Sequence, residues 1–409
     1  MSRSNINNLI GNPFYIQGFI WGIVVVLYKL RWSYLYPSLS PSTEIFFIFS
    51  ISFSMIIGYG CQKKKYFTFR PIRIMQFSLR HIKICFILNY FLLFVEFGFG
   101  GIPLLGYIFS GNGEYKEFGL PYIHVIVVNG FTALCFYVFY IYISCTTGEL
   151  KKKLKKYIIL SLIPFALIFN RGGLLTCFAG MGIMFLMSRK NMVKSLCIVV
   201  ALAVGILWGF GYLGDMRTDT KKGEHLILAI GEATPEFVDS WIPKEFFWGY
   251  MYLTSPLSNF QFTIDTTEEQ SISADNALKL GLFSMTPEII SKRLSGLFEI
   301  KPEKSELIIS GLNVSSYLVA GYKYLGWPGV ILMYLFTYYF VFVTLAIINR
   351  KSPYFVPTLV SIDVIIILNV FSNMFTFMGI IPVPFVFMMA ELYRQFKDKQ
   401  YTLKYAAEK

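Results

Sequence analysis

Three arginines that neighbour apolar segments are the residues of this chain best suited to chemistry. Arg171 lies in an Asn-Arg-Gly-Gly sequence between two apolar runs, Arg217 follows a third run, and Arg293 lies further along. Arginine keeps its proton and can hold a phosphate with two parallel hydrogen bonds. A cation within a membrane marks by default a site for an anion. These residues therefore predict a binding site for a phosphate-bearing ligand.

The segments on either side of Arg171 are predicted to be membrane helices that are too short to cross a bilayer. Tyr157–Phe169 and Leu174–Met187 are both shorter than the run of about 20 apolar residues that a full span needs. Pro164 also interrupts the first segment. The turn between them is expected to lie below the outer membrane surface, because short or broken spans point to a binding site.

The composition is that of an all-α polytopic integral membrane protein. Of the 409 residues, 55% are hydrophobic and 15% are charged, and the mean hydropathy is +0.56. Soluble domains carry about 25% charged residues. The formal net charge of +13 could suggest nucleic acid, but the cations cluster in short loops between apolar runs. That distribution follows the positive-inside bias, so we expect no nucleic-acid partner.

The apolar runs predict ten transmembrane helices with both termini in the cytoplasm. The ten segments are residues 9–30, 43–60, 84–106, 122–145, 157–169, 174–187, 195–214, 327–348, 354–372 and 374–392. The resulting divisions are seven helices within residues 1–214, a large periplasmic loop at 215–326, three helices within 327–393 and a cytoplasmic tail at 394–409.

The large loop is expected to contain short helices and to be functional, as loops of this length usually are. Thr286 is predicted to cap a helix that starts at Pro287, and Ser273 is predicted to cap another. Phe246–Ile264 is uncharged but holds several polar residues that are costly in lipid. It is predicted to lie at the membrane interface or to re-enter the membrane rather than to span it.

The sequence offers several proton acceptors but no signature of a cofactor site. It has no Gly-rich phosphate loop, no Cys or His metal spacing and no Gly-x-Ser-x-Gly elbow, so we expect neither a metal nor another cofactor. Candidates for deprotonating a hydroxyl are Asp215, Glu117, Tyr252 and Tyr322, and the sequence does not choose among them.

Ionisable residues inside predicted spans have two interpretations each. Glu96 either lines a cavity or pairs with a neighbouring cation. His124, near the outer end of its span, is either a general base or, as the preferred interpretation, a histidine that packs against or caps a helix. Asp363 is predicted to be an interior hydrogen-bond partner.

Four stretches of the sequence resemble the Wzy-type O-antigen polymerases, the oligosaccharide repeat-unit polymerases of bacteria. Arg171 and Gly182 are separated by ten residues, which matches the Arg-x10-Gly pattern of that family. The other three stretches are residues 211–217, 250–259 and 313–326. In that family a second Arg-x10-Gly pattern is described for the large loop, and the large loop of this chain lacks it.

The resemblance implies a GT-C-like architecture and a metal-independent glycosyl transfer at the periplasmic face of the bacterial inner membrane, in lipopolysaccharide biosynthesis. The donor would be the growing glycan on undecaprenyl pyrophosphate. The acceptor would be a repeat unit on a second undecaprenyl pyrophosphate. Membrane lipid and a chain-length regulator of the polysaccharide co-polymerase type would be further partners.

The resemblance also implies roles for particular residues. Arg171 would bind pyrophosphate, while Arg217 and Arg293 would help to hold either lipid carrier. Substrate contacts are expected among Gly172, Gly173, Gly182, Asn259, Asn313, Tyr322, Glu96 and His124.

Three other functions are compatible with the sequence. An O-antigen ligase shares the architecture, but a His-Asn pair is expected where this chain reads Gly311-Leu312-Asn313. A repeat-unit flippase would place charges along a central cavity and would lack the large loop. An inactive membrane scaffold is the third, and Arg171 would then only contact lipid headgroups.

Overall fold

Apolar segments preceded by Asn, Ser or Pro fold into α-helices along the chain. The computed structural model describes residues 9–72, 77–110, 118–145, 148–189, 191–218, 223–267, 272–302, 307–309, 311–312 and 314–407. Its first eight helices are α1 (Pro13–Tyr28), α2 (Pro41–Lys63), α3 (Leu79–Gly100), α4 (Pro103–Ser110), α5 (Ile123–Ser144), α6 (Gly148–Leu167), α7 (Arg171–Ser188) and α8 (Met192–Thr218). The next eight are α9 (Leu226–Ile230), α10 (Pro235–Val238), α11 (Phe246–Thr266), α12 (Ala274–Ser284), α13 (Glu288–Phe298), α14 (Leu318–Ile347), α15 (Phe355–Leu368) and α16 (Pro382–Ala407). Apart from an isolated bridge between Ser33 and Ala233, these residues form no strand, which confirms the all-α class.

Within the described part of the chain, six helical segments are long and apolar enough to cross a membrane. They are Pro41–Lys63, Leu79–Phe109, Ile123–Ser144, Arg171–Ser188, Val193–Met216 and Leu318–Ile347. Two shorter apolar helices, α1 and α15, accompany them. These segments indicate a multi-pass membrane protein, while the number of ten crossings stays a prediction.

Contacts between loops give the helical bundle two distinct ends. At one end, the Arg350 guanidinium lies 3.6 Å from the centroid of the Tyr66 ring, so the connection after α14 meets the connection after α2. At the other end, the Trp32 amide donates to the Tyr250 hydroxyl at 3.1 Å, which joins the α1–α2 connection to α11. The sequence predicts that successive loops alternate between the two sides of the membrane, and these two contacts agree with that prediction.

The two helices beside Arg171 are longer than the sequence predicts. α6 begins within the lysine-rich segment and keeps Pro164 inside it, and α7 has 18 residues. The prediction that both segments are too short is therefore wrong for α7. The reason is local: the Asn170 side chain caps the helix, so Arg171 and the two glycines form the first helical turn rather than a loop.

Residues 246–266 form one interior helix, α11, rather than an interface-lying stretch. Phe247 is fully buried and Tyr250 nearly so, instead of lying at the headgroup level. The buried Ser255 hydroxyl has no hydrogen-bond partner among the described residues. Other polar residues of α11 do have partners: Gln261 Oε1 accepts from the Ser40 amide at 3.1 Å and from the Thr43 hydroxyl at 2.7 Å. Partners of this kind allow polar side chains to be buried at little cost.

The predicted tenth span, residues 374–392, starts too early. Residues 369–381, which we name the turn segment, form successive turns, and α16 begins only at Pro382. Asn369 Oδ1 accepts from the Met374 amide at 2.8 Å, and Asn373 Oδ1 accepts from the Phe375 amide at 3.1 Å. Such Asn side chains stabilise turns in place of helix.

Of the two helix caps predicted in the large loop, one is confirmed and the other is wrong. The Ser273 hydroxyl accepts from the Asn276 amide at 3.1 Å and caps α12, as predicted. Thr286 does not cap α13, because its hydroxyl donates to the Gly281 carbonyl at 2.9 Å instead. α13 consequently starts at Glu288 without a side-chain cap.

Asp363 is not the hydrogen-bond partner that the sequence suggests. Both carboxyl oxygens are buried, and neither has a hydrogen-bond partner among the described residues. α15, which carries Asp363, packs against α1, α5, α7 and α16, so the side chain is enclosed by the bundle.

Candidate functional site

A cavity of about 580 Å³ lies where α5, α7 and the turn segment meet. α5 contributes His124, the start of α7 contributes Asn170, Gly172 and Gly173, and the turn segment contributes apolar side chains and backbone from Met374 onward. A concave, mostly apolar pocket with a few convergent polar groups is the default form of a ligand site. This cavity gathers residues that are up to 262 positions apart, from Phe118 to Ile380.

A buried carboxylate on α3 orients the histidine of the cavity. Both Glu96 oxygens lie 3.3 Å from His124 Nδ1, and Oε1 also accepts from the Leu120 amide at 3.1 Å. The Glu96 side chain is fully buried, whereas 29% of the His124 side chain is exposed. A carboxylate at Nδ1 places the proton on that nitrogen and leaves Nε2 as the acceptor. His124 is therefore arranged as a proton acceptor, and Glu96 as its orienting group.

The start of α7 borders the same cavity with the positive end of its helix dipole. Asn170 Oδ1 accepts from the Gly173 amide at 2.8 Å, which fixes the first turn. A Cβ atom on Gly173 would lie 2.4 Å from the Phe165 ring, so only glycine fits there. Gly172 has open space where its Cβ would be, with only Asn170 Oδ1 within 4 Å. Amide groups at a helix N-terminus carry partial positive charge and favour an anion.

Arg171 is the exposed first residue of α7 and lies beside these amide groups. Its side chain forms no ion pair with the carboxylates of the described residues. It does not itself line the cavity, whereas its neighbour Gly172 does. The guanidinium is thus available to an anion that approaches the rim.

Arg293 is held over the N-terminus of α5. Its Nη2 donates to the Tyr122 hydroxyl at 2.8 Å, and its guanidinium carbon lies 5.4 Å from the centroid of that ring. Its helix α13 is attached to the turn segment, because the Glu288 amide donates to the Thr376 carbonyl at 3.0 Å. Arg293 therefore contacts Tyr122, which precedes His124 by two residues, and its helix contacts a wall of the cavity.

Asp215 is engaged in a different place. One oxygen accepts from Trp248 Nε1 at 2.7 Å, and the other lies 2.8 Å from His225 Nδ1. These contacts join α8 to α11 and to the residue that precedes α9. Asp215 does not line the cavity, so a role as the proton acceptor stays a prediction without support from the geometry.

Asn259 is fully occupied by backbone groups of the large loop. Its Nδ2 donates to the carbonyls of Leu312 and Val314 at 2.9 and 2.8 Å, and its Oδ1 accepts from the Ile308 amide at 3.1 Å. The side chain is buried. Asn259 organises the chain before α14, which leaves none of its hydrogen-bonding groups obviously free for a sugar.

The remaining predicted residues on helices lie outside the cavity. The Tyr252 ring packs edge-on against Phe210 at 5.0 Å, and the Tyr322 ring lies 5.8 Å from that of Trp327. Gly182 lies on α7, eleven residues after Arg171, or about 16 Å along a helix. A Cβ atom on Gly182 would meet nothing within 4 Å.

Three predicted residues cannot be placed. Glu117 and Asn313 lie outside the described residues, and the side chain of Arg217 is likewise outside the description, although its backbone belongs to α8.

Sequence reasoning missed several groups that build the site. Asn170 is recognisable as a helix cap before Arg-Gly-Gly, and Tyr122 has no local signal. The turn segment could have been found from its two Asn residues, its Gly379 and the prolines that follow. Asn129 Nδ2, which holds the Met378 carbonyl at 2.7 Å, joins α5 to that segment and had no signal either.

Comparison of the chain with family models, curated proteins and solved structures finds no match.

Proposed function

We propose that the protein polymerises lipid-linked oligosaccharide repeat units at the periplasmic face of the bacterial inner membrane. The observation that carries the proposal is the cavity, whose walls include both a carboxylate-oriented histidine and the N-terminus of α7. Glycosyl transfer from a pyrophosphate needs a group that accepts a proton and groups that stabilise the departing anion. His124 fits the first role, while Arg171 and the positive end of the α7 dipole fit the second.

In the proposed reaction, a hydroxyl at the non-reducing end of one undecaprenyl-pyrophosphate-linked repeat unit attacks the anomeric carbon of the growing glycan. The bond from that carbon to the pyrophosphate oxygen breaks as the glycosidic bond forms. The hydroxyl proton passes to Nε2 of His124, and undecaprenyl pyrophosphate leaves with the bonding electron pair. Glu96 stabilises the imidazolium, as the carboxylate of a catalytic triad does.

Arg171 and Arg293 are proposed to hold the two lipid carriers. Arg171 takes the departing pyrophosphate, since it lies beside the helix N-terminus that favours an anion. Arg293 takes the second carrier from its position beside Tyr122. No metal or other cofactor is invoked, and a polysaccharide co-polymerase is the proposed partner that sets chain length.

The test is complementation of a deletion strain, with lipopolysaccharide separated on a silver-stained gel. The wild-type chain should restore a ladder, and His124→Ala should leave lipid core that carries a single repeat unit. Glu96→Gln keeps the shape of the side chain but removes its charge, so the amount of polymer in the ladder should fall partially. General-base catalysis contributes about 10²–10⁴-fold in rate, which sets the scale for His124→Ala.

His81→Ala is the matched control. His81 lines a separate cavity of about 440 Å³ between α3, α5 and α16, so the full ladder should persist. A full ladder from His124→Ala would contradict the proposed role of that residue. Core without any repeat unit in the deletion strain would instead favour a ligase or a flippase, and an unchanged ladder would favour a scaffold.

A further inference from the structure

A groove of about 600 Å³ lies between α3 and α6, and none of its lining residues also lines the cavity of the proposed site. Lys83 of α3 and Lys153 and Lys156 of α6 line one end of it. The two helices each turn apolar immediately beyond these lysines. The groove therefore combines three cations with an apolar floor at the level where charged sequence gives way to apolar sequence.

The three lysines have no anionic partner within the described part of the protein. None of them forms an ion pair with a carboxylate there. Glu149 stands one helical turn before Lys153, where a pair could form, but no such pair occurs. Three clustered and uncompensated cations repel one another, and an anion between them would relieve that repulsion.

The floor of the groove is well packed. The Tyr90 hydroxyl donates to the Leu160 carbonyl at 2.6 Å and joins α3 to α6. The rings of Phe86 and Tyr157 lie 5.0 Å apart beneath the lysines. The groove is therefore a concave site with a fixed base rather than a row of lysines on a convex surface.

Beyond the lysines, both helices expose apolar side chains. Ile87, one turn after Lys83, is 56% exposed, and Ile159 and Ile163 of α6 are 51% and 39% exposed. A ligand with a phosphate at the lysines would place its hydrophobic part along Ile87, Tyr90 and Leu160, which line the groove, whereas Ile159 and Ile163 lie outside its lining.

We propose that the groove binds an anionic phospholipid, with the phosphate among the three lysines and an acyl chain along the apolar lining residues of α3 and α6. Basic pockets between membrane helices bind the headgroups of anionic lipids in this way. A soluble acidic protein would use the cations but would leave the apolar floor and the exposed Ile87 uncovered. The proposal is independent of the proposed polymerase activity.

The test is lipid binding to the purified full-length protein in non-ionic detergent, measured by native mass spectrometry. The probes are phosphatidylglycerol, zwitterionic phosphatidylcholine of the same chains, and glycerol 3-phosphate as a soluble phosphate source. We expect the Lys153→Gln/Lys156→Gln variant to bind phosphatidylglycerol about tenfold more weakly or worse, because each lysine near a headgroup contributes about 1 kcal/mol.

Lys152→Gln/Lys155→Gln is the matched control. It removes the same charge from the same helix with the same three-residue spacing, but neither residue lines the groove. Its affinity should fall less than about twofold, because only the diffuse field changes. Equal losses in both variants, equal binding of the two lipids, or displacement of the lipid by glycerol 3-phosphate would each overturn the proposal.

Ile87→Trp tests the shape of the groove with all lysines present. The larger side chain should block the acyl chain and weaken phosphatidylglycerol binding, while the melting temperature of the lipid-free protein stays unchanged. Unaltered binding would mean that charge alone attracts the lipid and would contradict a groove site.

Discussion

At the scale of single residues, the arrangement around His124 depends on a contact between different helices. Glu96 and His124 are 28 positions apart, yet the carboxylate reaches Nδ1 at 3.3 Å. The Leu120 amide, held by the same carboxylate, fixes the chain before α5. A buried carboxylate that is satisfied by an amide and an imidazole is an oriented pair rather than an isolated acid.

Substitution of Arg171 should separate anion binding from folding. Because the guanidinium is exposed and forms no ion pair in the described structure, Arg171→Ala should leave the melting temperature unchanged. Polymer formation should be lost with alanine and partly kept with Arg171→Lys, since lysine supplies charge without the two-pronged geometry. Ladder length and thermal unfolding in detergent, measured on the same preparations, check this. A fully active alanine variant would refute the pyrophosphate role.

Asn259 should behave as a structural residue. Asn259→Leu removes three hydrogen bonds and leaves the backbone groups of residues 308, 312 and 314 without their partner. The expected destabilisation is about 3 kcal/mol, because unsatisfied buried groups are costly. Tyr252→Phe on the same helix is the control, since that ring is partly exposed and only packs against Phe210. A melting temperature that is equally low in both variants would contradict the argument.

At the scale of elements, glycines on α7 decide how closely the helix approaches α5. A Cβ atom on Gly180 would lie 2.3 Å from the Phe136 ring, so glycine is required for this contact. Gly182, two residues later, has open space instead. The Arg-x10-Gly pattern therefore consists of an exposed arginine at the start of α7 and a glycine that no contact with the described residues requires.

The two glycines provide a matched pair of substitutions. Gly180→Ala should lower stability by about 1–3 kcal/mol, because the methyl group pushes α7 away from α5. Gly182→Ala should keep or raise stability, since alanine is the better helix former by about 1 kcal/mol. Thermal unfolding of both variants checks this, and equal effects would contradict the packing. Loss of polymer in a stable Gly182→Ala variant would place an external ligand or partner against that face.

At the scale of the whole molecule, the contacts at the two ends of the bundle agree with the sequence-based alternation of helices, while the orientation in the membrane stays a prediction. Ser271 would be a labelling position in the large loop, but it lies outside the described residues. Lys301 in the same loop is exposed and described, and Lys152 on α6 is an exposed counterpart in a predicted cytoplasmic segment.

A membrane-impermeant maleimide should distinguish the two sides. In a cysteine-free background, Lys301→Cys should be labelled in intact spheroplasts, and Lys152→Cys only after the membrane is permeabilised. The reason is that short lysine-rich loops are retained on the cytoplasmic side, whereas long loops translocate regardless of charge. The reverse pattern would invert the orientation and would contradict a periplasmic site.

The sequence by itself determined the all-α membrane class, most helix positions and the likeness of Arg171 to an anion-binding residue, because hydrophobic runs, lysine clusters and helix caps are local signals. It misjudged the turn segment and the length of α7. Of its two alternatives for residues 246–264, the interface-lying one is wrong, and the re-entrant one stays a prediction. Whether polar residues face lipid or protein, and whether Asn side chains stabilise turns, depends on what packs against them. Only the tertiary structure paired Glu96 with His124 and brought His124, α7 and the turn segment together around one cavity. It also gave Asp215 and Asn259 hydrogen-bond partners outside that cavity. These contacts join residues far apart in the chain, and hydropathy and spacing carry no information about which helices become neighbours.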